Sequence, residues 1–561
     1  MKFGHRLFSM LLLLGRGGAA VLMVAALALP AAAKDRLVIG MTQFPSTLHP
    51  HINSMLAKSY ILNATLRPLT VYDQDWKLVC LLCTTLPTIE NGLAERETTE
   101  AGEDGVAVTY SIHPDATWGD GTPVTSADAV FTWQVGRDER SGFAGIEGFR
   151  RVLSVEVIDD KTFIYHVDRL TYQYNAAGGF LLPSHLEAAP FEDPAEYRHR
   201  TLYDTDPSNP GLYFGPYRVT AVESGSYVVL EPNPTWYGPK PAFTEVVIRV
   251  IENTAALEAN LLSGEVDYVA GELGFNIEQA MSFERRNPDR YDYLYKPGLI
   301  YEHLDINLDN PTLADTRVRQ ALLYALDREQ LTGKLFGGHQ PVAHSNVNPL
   351  DRVFSDQVPV YPHDPDKAAT LLDQAGWGEL RDGVRHNAAG EKLSLSLMTT
   401  AGNKSRELVQ QVLQSQWRKV GVEAVIRNEP ARVFFGETMT KRTYDGLAMY
   451  AWLSAPESVP LSSLKSDQIP AEENGWSGQN FPGYRSDRMD ELIDLIEREL
   501  DPAARLPMWA ELQTLYATDL PVLPLFFRAE PYVFPKWLSG VRPTGHLVTT
   551  TMWIEEWRSV D

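Results

Sequence analysis

The stretch YEHLDINLDNPTLADTRVRQALLYALDREQL, residues 301–331, decides how this chain is read. Leu304, Ile306 and Leu308 alternate with Asp305, Asn307 and Asp309, the two-residue period of a strand covered on one face. Asn310-Pro311 marks a turn. Asp315 or Thr316 then stands where a helix needs its N-cap. Val318, Leu322, Ala325 and Leu326 fall on one face of that helix, with Arg317, Arg319, Gln320 and Arg328 elsewhere. Periodicity alone makes this a strand-helix unit of a mixed α/β domain.

The flanking sequence repeats the theme. Residues 36–41, 106–112, 163–167 and 243–251 read as strands. A helix over 254–262, opened by Asn253 or Thr254, leads to a strand over 266–269, a βαβ unit expected to cross over right-handed. A second such unit runs through a strand at 393–397, an amphipathic helix at 404–419 and a strand at 422–426. Between them, Asp364 caps a helix with Pro365 at its first position and Gly376 at its end. Asp120-Gly121 is a tight-turn pair, followed by Thr125 or Ser126 as cap of a helix carrying Asp128 in its first turn.

The chain has 561 residues, 44% hydrophobic and 22% charged, enough for two or three cores. A net charge of −23 argues against nucleic-acid partners and against electrostatic docking on anionic lipid. Lys2 and Arg6, apolar runs at 11–14 and 19–29, Pro30 and Ala31-Ala32-Ala33 read as a signal peptide over residues 1–33, removed on export to the periplasm. No cysteine near that point would carry a lipid anchor. The two cysteines, Cys80 and Cys83, are read as a local disulfide, with free buried thiols and redox or metal chemistry as the alternatives. His49 and His51 form an H-x-H pair without a third ligand and are read as surface residues.

Several segments carry a resemblance. His113-Pro114, Trp118, Asp120-Gly121-Thr122-Pro123 and residues 126–130 form the longest of them. Leu182-Pro183-Ser184-His185, Gly215-Pro216-Tyr217, and the helix from Asp364-Pro365 to Gly376-Trp377 are further ones. With Asn307, Pro311 and residues 317–322 and 325–328, the set resembles family 5 extracytoplasmic solute-binding proteins, the peptide- and nickel-binding receptors of ABC importers. The resemblance implies an α/β, two-lobed periplasmic-binding-protein fold (type II, large cluster with an extra subdomain) whose lobes are joined by two hinge crossings. Lobe I would comprise 34–78, 205–297 and a C-terminal return over 523–561. The extra subdomain would be 79–204 and lobe II 298–522.

The resemblance also locates the ligand. Family peptide receptors have a tryptophan where Trp452 stands, followed by an aspartate that pairs with the peptide ammonium. This chain has Ala455 about there, with Glu457 the nearest acid. The expected ligand-binding residues are Tyr60, Tyr213, Phe214, Tyr301, Arg432, Tyr450, Trp452, Ser454, Trp476, Gln479 and Asn480. Trp452, Trp476 and Tyr484 offer apolar faces, Gln479 and Asn480 polar handles. No catalytic residue, metal ligand or cofactor is assigned. The chain carries no G-x-S-x-G, H-E-x-x-H or phosphate-loop motif. The expected function is the periplasmic substrate-binding component of an ABC importer, a monomer that takes a peptide or peptide-like solute to the permease subunits in the membrane. A non-peptide ligand (oligosaccharide, opine or metal chelate) is the alternative. A secreted hydrolase and a structural envelope protein are the remaining readings.

Overall fold

A computed structural model describes residues 34–52, 55–176, 179–269, 271–474, 476 and 478–560. The expected signal peptide lies outside them. The framework is a ten-stranded mixed sheet. Its order from one edge is Glu423–Ile426, Ser394–Met398, Gly446–Leu453, Tyr291–Ile306, Val522–Pro535, Tyr268–Val269, Arg36–Met41, Glu245–Val250, Tyr227–Pro232 and Tyr217–Glu223. The two central strands are the longest, 16 and 14 residues, and run antiparallel to each other.

These two strands are the crossings between the lobes. At one end, Leu304, Ile306, Leu523, Leu525 and Phe526 pack in a core with Leu322, Leu413 and Trp417. At the other, Tyr291 and Val533 join a cluster with Val38 and Leu257. The second crossing strand keeps Leu523, Leu525, Phe526 and Ala529 in the same core as Leu304 and Ile306. A separate four-stranded antiparallel sheet, built from Ala94–Thr98, Asp104–Ser111, Thr162–Val167 and Val152–Val157, forms the extra subdomain. Its helix Ser126–Arg137 is capped as read: Thr125 and Asp128 form a reciprocal capping box. Trp118 Nε1 also donates to Asp128, at 3.2 Å.

Two readings of the central stretch need correction. Asp305 and Asn307 do not face solvent, since Asp305 is 1% and Asn307 8% exposed. The strand has a neighbour on each side and is covered on both faces, so alternation here does not separate core from water. The single helix is two, Thr316–Tyr324 and Arg328–Phe336, because Asp327 caps a second helix by accepting from Gln330 N at 2.8 Å. Arg319 and Arg328, placed off the apolar face, are buried. Arg328 donates to the carbonyls of Ala343, Pro524 and Tyr361, and Arg319 to those of Leu313, Ala314 and Asp519. Each guanidinium thus ties together backbone carbonyls from separate segments.

The first crossing strand is irregular between Pro297 and Tyr301. There Gly298 O accepts from Asn348 Nδ2 at 2.6 Å, and Leu299 N donates to Gly545 O at 2.9 Å. A Cβ on Gly298 would stand 2.4 Å from Gly545 O, a backbone atom that cannot swing away. Gly298→Val is therefore expected to lower the urea-unfolding stability by about 1–3 kcal/mol. Gly333→Ala, in a helix where the added methyl meets nothing within 4 Å, should be neutral or stabilising under the same measurement.

Candidate functional site

Antiparallel pairing sorts the central strand into two faces. Leu304 opposes Met449 and Ile306 opposes Leu447, and all four lie in the lobe II core. The odd-numbered residues point the other way: Tyr301 opposes Trp452 and His303 opposes Tyr450. Tyr301, His303, Asp305 and Trp452 line a cavity of about 140 Å³ on that face. The loop carrying Asn346, Asn348 and Asp351 also lines it, as do Ser454, Ala455 and Gln479 and, from helix Pro502–Asp519, Trp509 and Tyr516.

The walls are cross-linked by short contacts. Tyr301 and Tyr516 share a hydroxyl hydrogen bond at 2.9 Å, and the Tyr301 ring stacks on His303 with centroids 5.0 Å apart. Tyr450 OH donates to Asp305 Oδ2 at 2.5 Å, and His303 Nε2 lies 3.1 Å from Asp305 Oδ1. Burial, with the Asp305 charge beside it, holds the Tyr450 hydroxyl well above its usual range, so it stays a neutral donor. Trp452 is half-buried, with its ring stacked 6.3 Å from Phe481. The site thus combines aromatic faces with a few convergent polar groups, the composition of a small-solute pocket.

Of the expected ligand residues, Tyr301, Trp452, Ser454 and Gln479 meet at this cavity. Tyr450 stands behind the wall and fixes Asp305. Tyr60, Tyr213 and Phe214 do not reach it. Each is fully buried in the other lobe's cores, Tyr213 donating to Pro207 O and Phe214 packing edge-on to Trp118. Asn480 is consumed by a turn: its amide donates to Lys465 O and Tyr484 O and accepts from Tyr484 N. Trp476, at φ +63°, is not part of the lining. The Arg432 side chain lies outside the described ones. Glu457 does not replace the missing aspartate either. Its carboxylate pairs with Arg352 at 2.5 Å and Arg505 at 3.4 Å, its N–H donates to Asp351, and its φ is +56°.

His49 is not a surface residue but wholly buried, Nε2 at 2.9 Å from Tyr197 OH and Nδ1 accepting from Ile52 N. Its ring orders the first loop, and desolvation keeps it neutral. Cys80 and Cys83 are joined as a disulfide. No cluster of three or more His, Cys, Asp or Glu suited to a metal occurs among the described residues. Among the same residues, no helix is long and apolar enough to cross a membrane.

Sequence reasoning passed over Asp351, Asn346 and Trp509. Residues 337–364 contain no helix or strand. A structureless run of that length in a compact domain is itself a pointer to function.

The family model for bacterial extracellular solute-binding proteins, family 5, matches residues 88–468. The chain belongs to that family. Among solved structures, the oligopeptide-binding protein of Thermus thermophilus complexed with a pentapeptide is 29% identical. The match covers 94% of this chain and 96% of that one, with a TM-score of 0.69. The oligopeptide-binding protein AppA of Bacillus subtilis is 25% identical over 496 residues, 86% of this chain and 87% of its own. NikA of Brucella suis, in complex with Fe(III)-EDTA, shares the fold at 18% identity and a TM-score of 0.76, over 94% of this chain and 100% of that one. The two-lobed, type II architecture with an extra subdomain is thus the family 5 fold.

One further contact ties the subdomain to the rim of the cavity. Tyr172, from the segment following the subdomain sheet, donates to the Glu457 carbonyl, and Arg505 lies 4.4 Å over its ring. Its backbone N–H donates to Glu497 O at 3.0 Å. The subdomain therefore rests on the same loop that borders the cavity.

Proposed function

We propose that this chain is the extracytoplasmic receptor of an ABC importer, capturing a peptide or peptide-like solute by lobe closure and delivering it to the membrane permease. One observation carries the reading: a polar, aromatic-walled cavity opens on the sheet face beside the two strands that the lobe cores share. A solute that touches both lobes stabilises the closed form by its differential affinity for it. The names of the relatives support the peptide class. The NikA complex and the alanine at position 455 favour the second reading, a non-peptide solute such as a metal chelate. The protein acts as a binder without turnover, as a monomer in the periplasm after loss of residues 1–33.

The test is native mass spectrometry of the protein from its own cell envelope. A copurifying solute released unchanged, on a chain lacking residues 1–33, supports the proposal. Conversion of that solute by the purified protein would instead make it an enzyme. Trp452→Ala is expected to weaken binding of the solute about 10- to 100-fold by calorimetry while barely moving the ligand-free melting point, since the ring is a half-buried wall rather than core.

A further inference from the structure

The cavity lining is electrically one-sided. Among the described residues it contains two carboxylates, Asp305 and Asp351, and His303, with no lysine or arginine. Asp305 is already engaged by a side-chain donor, Tyr450 OH. Asp351 is not: its Oδ2 accepts from Glu457 N at 2.8 Å and its Oδ1 from Val353 N at 3.3 Å. No cation pairs with it among the described residues, because neighbouring Arg352 turns to Glu457. Burial, the Glu457 charge adding to it, raises the Asp351 carboxyl to about 6, the state of an acid waiting for a counter-ion.

Three atoms in the lining are buried without a hydrogen-bond partner: Trp509 Nε1, Asn346 Oδ1 and His303 Nε2, the last lying 3.1 Å from Asp305 Oδ1. Trp509 is 1% exposed, and its Nε1–H has no acceptor. Asn346 Oδ1 is buried without a donor. An orphan donor and an orphan acceptor in the wall of one cavity are costly in a finished core and natural in a site that a ligand completes.

The geometry points to a cationic amine as the group this cavity receives, with Asp351 as its counter-ion, Asn346 Oδ1 accepting from it, and Trp509 Nε1–H donating to an adjacent oxygen of the same ligand. This rests on the receptor reading above and names the charge its ligand carries. It also accounts for Ala455 in the same lining: the negative charge enters from the 337–364 loop instead.

The experiment is calorimetric titration of the full mature chain with paired compounds. Dipeptides and tripeptides with a free amino terminus, and 1,5-diaminopentane, are each compared with the N-acetylated form. The wild type should prefer free-amine members at least tenfold. Asp351→Asn should reduce that preference to under threefold while keeping the affinity for the acetylated partner. Asn346→Leu, which leaves the charge in place, should reduce it partially. Saturable binding that is indifferent to acetylation overturns the inference and leaves the receptor reading intact. Full preference retained in Asp351→Asn, or equal loss of both partners, also overturns it. No saturable response of the wild type to any compound removes the receptor reading itself.

Discussion

Replacing Glu302 by alanine is expected to cost about 3–4 kcal/mol of stability, read as a lowered midpoint in urea unfolding followed by circular dichroism. Glu302 is 1% exposed on the first crossing strand. It accepts from Arg406, at the start of helix Lys404–Lys419, and from Arg528 on the second crossing strand. Three elements thus meet on one carboxylate, and removing it leaves two guanidinium groups facing each other, Arg406 12% and Arg528 31% exposed. The lower end of the range for a broken buried pair applies because Arg528 still reaches water. The linkage has a definite sign. Burial raises the Glu302 carboxyl, but the charges of Arg528 and Arg406 outweigh it and hold the group below its ordinary value. An unfolded glutamate titrates near ~4.3, so this stabilisation is complete above that pH and is lost as the pH falls through the folded value. Glu302→Ala should therefore lose most at neutral pH and approach the wild type in strong acid. Equal losses at all pH values would show that packing, not charge, was removed.

Trp417→Ala should be at least as damaging, about 3–5 kcal/mol in the same assay. The ring is fully buried on helix Lys404–Lys419, and its Nε1–H donates to Leu322 O at 2.9 Å, tying that helix to Thr316–Tyr324. Truncation opens a cavity among Leu322, Leu413 and Leu397 and strands one carbonyl. Trp417→Phe keeps most of the volume and should recover much of the loss. The contrast with Trp452→Ala, which should alter binding and spare stability, separates the two faces of the central sheet in a single experiment.

The fold was legible because its signals are local. Asn253, Asp315 and Asp364 each accept a hydrogen bond at the helix start where their side chains suggested a cap. The strands Arg36–Met41 and Ser394–Met398 lie where the sequence reads as strand, to within a residue. Of the described residues expected at the ligand, only Tyr301, Trp452, Ser454 and Gln479 line the cavity. Tyr60, Tyr213 and Phe214 show the limit: an aromatic near a motif looks the same in sequence whether it lines a cleft or fills a core.

The sequence by itself determined the family, the α/β lobes, the caps and the departure at Ala455, since each depends on residues adjacent in the chain or on short periods. Only the tertiary structure decided which face of the central strand is core and which is cavity. With neighbours on both sides and cover above and below, alternating residues are buried alike, and the pattern no longer reports solvent. The pairing of Glu457 with Arg352 and Arg505, which leaves Asp351 in the cavity wall without a cation of its own, likewise arises from segments about 50 to 105 residues apart. No local rule spans such a distance.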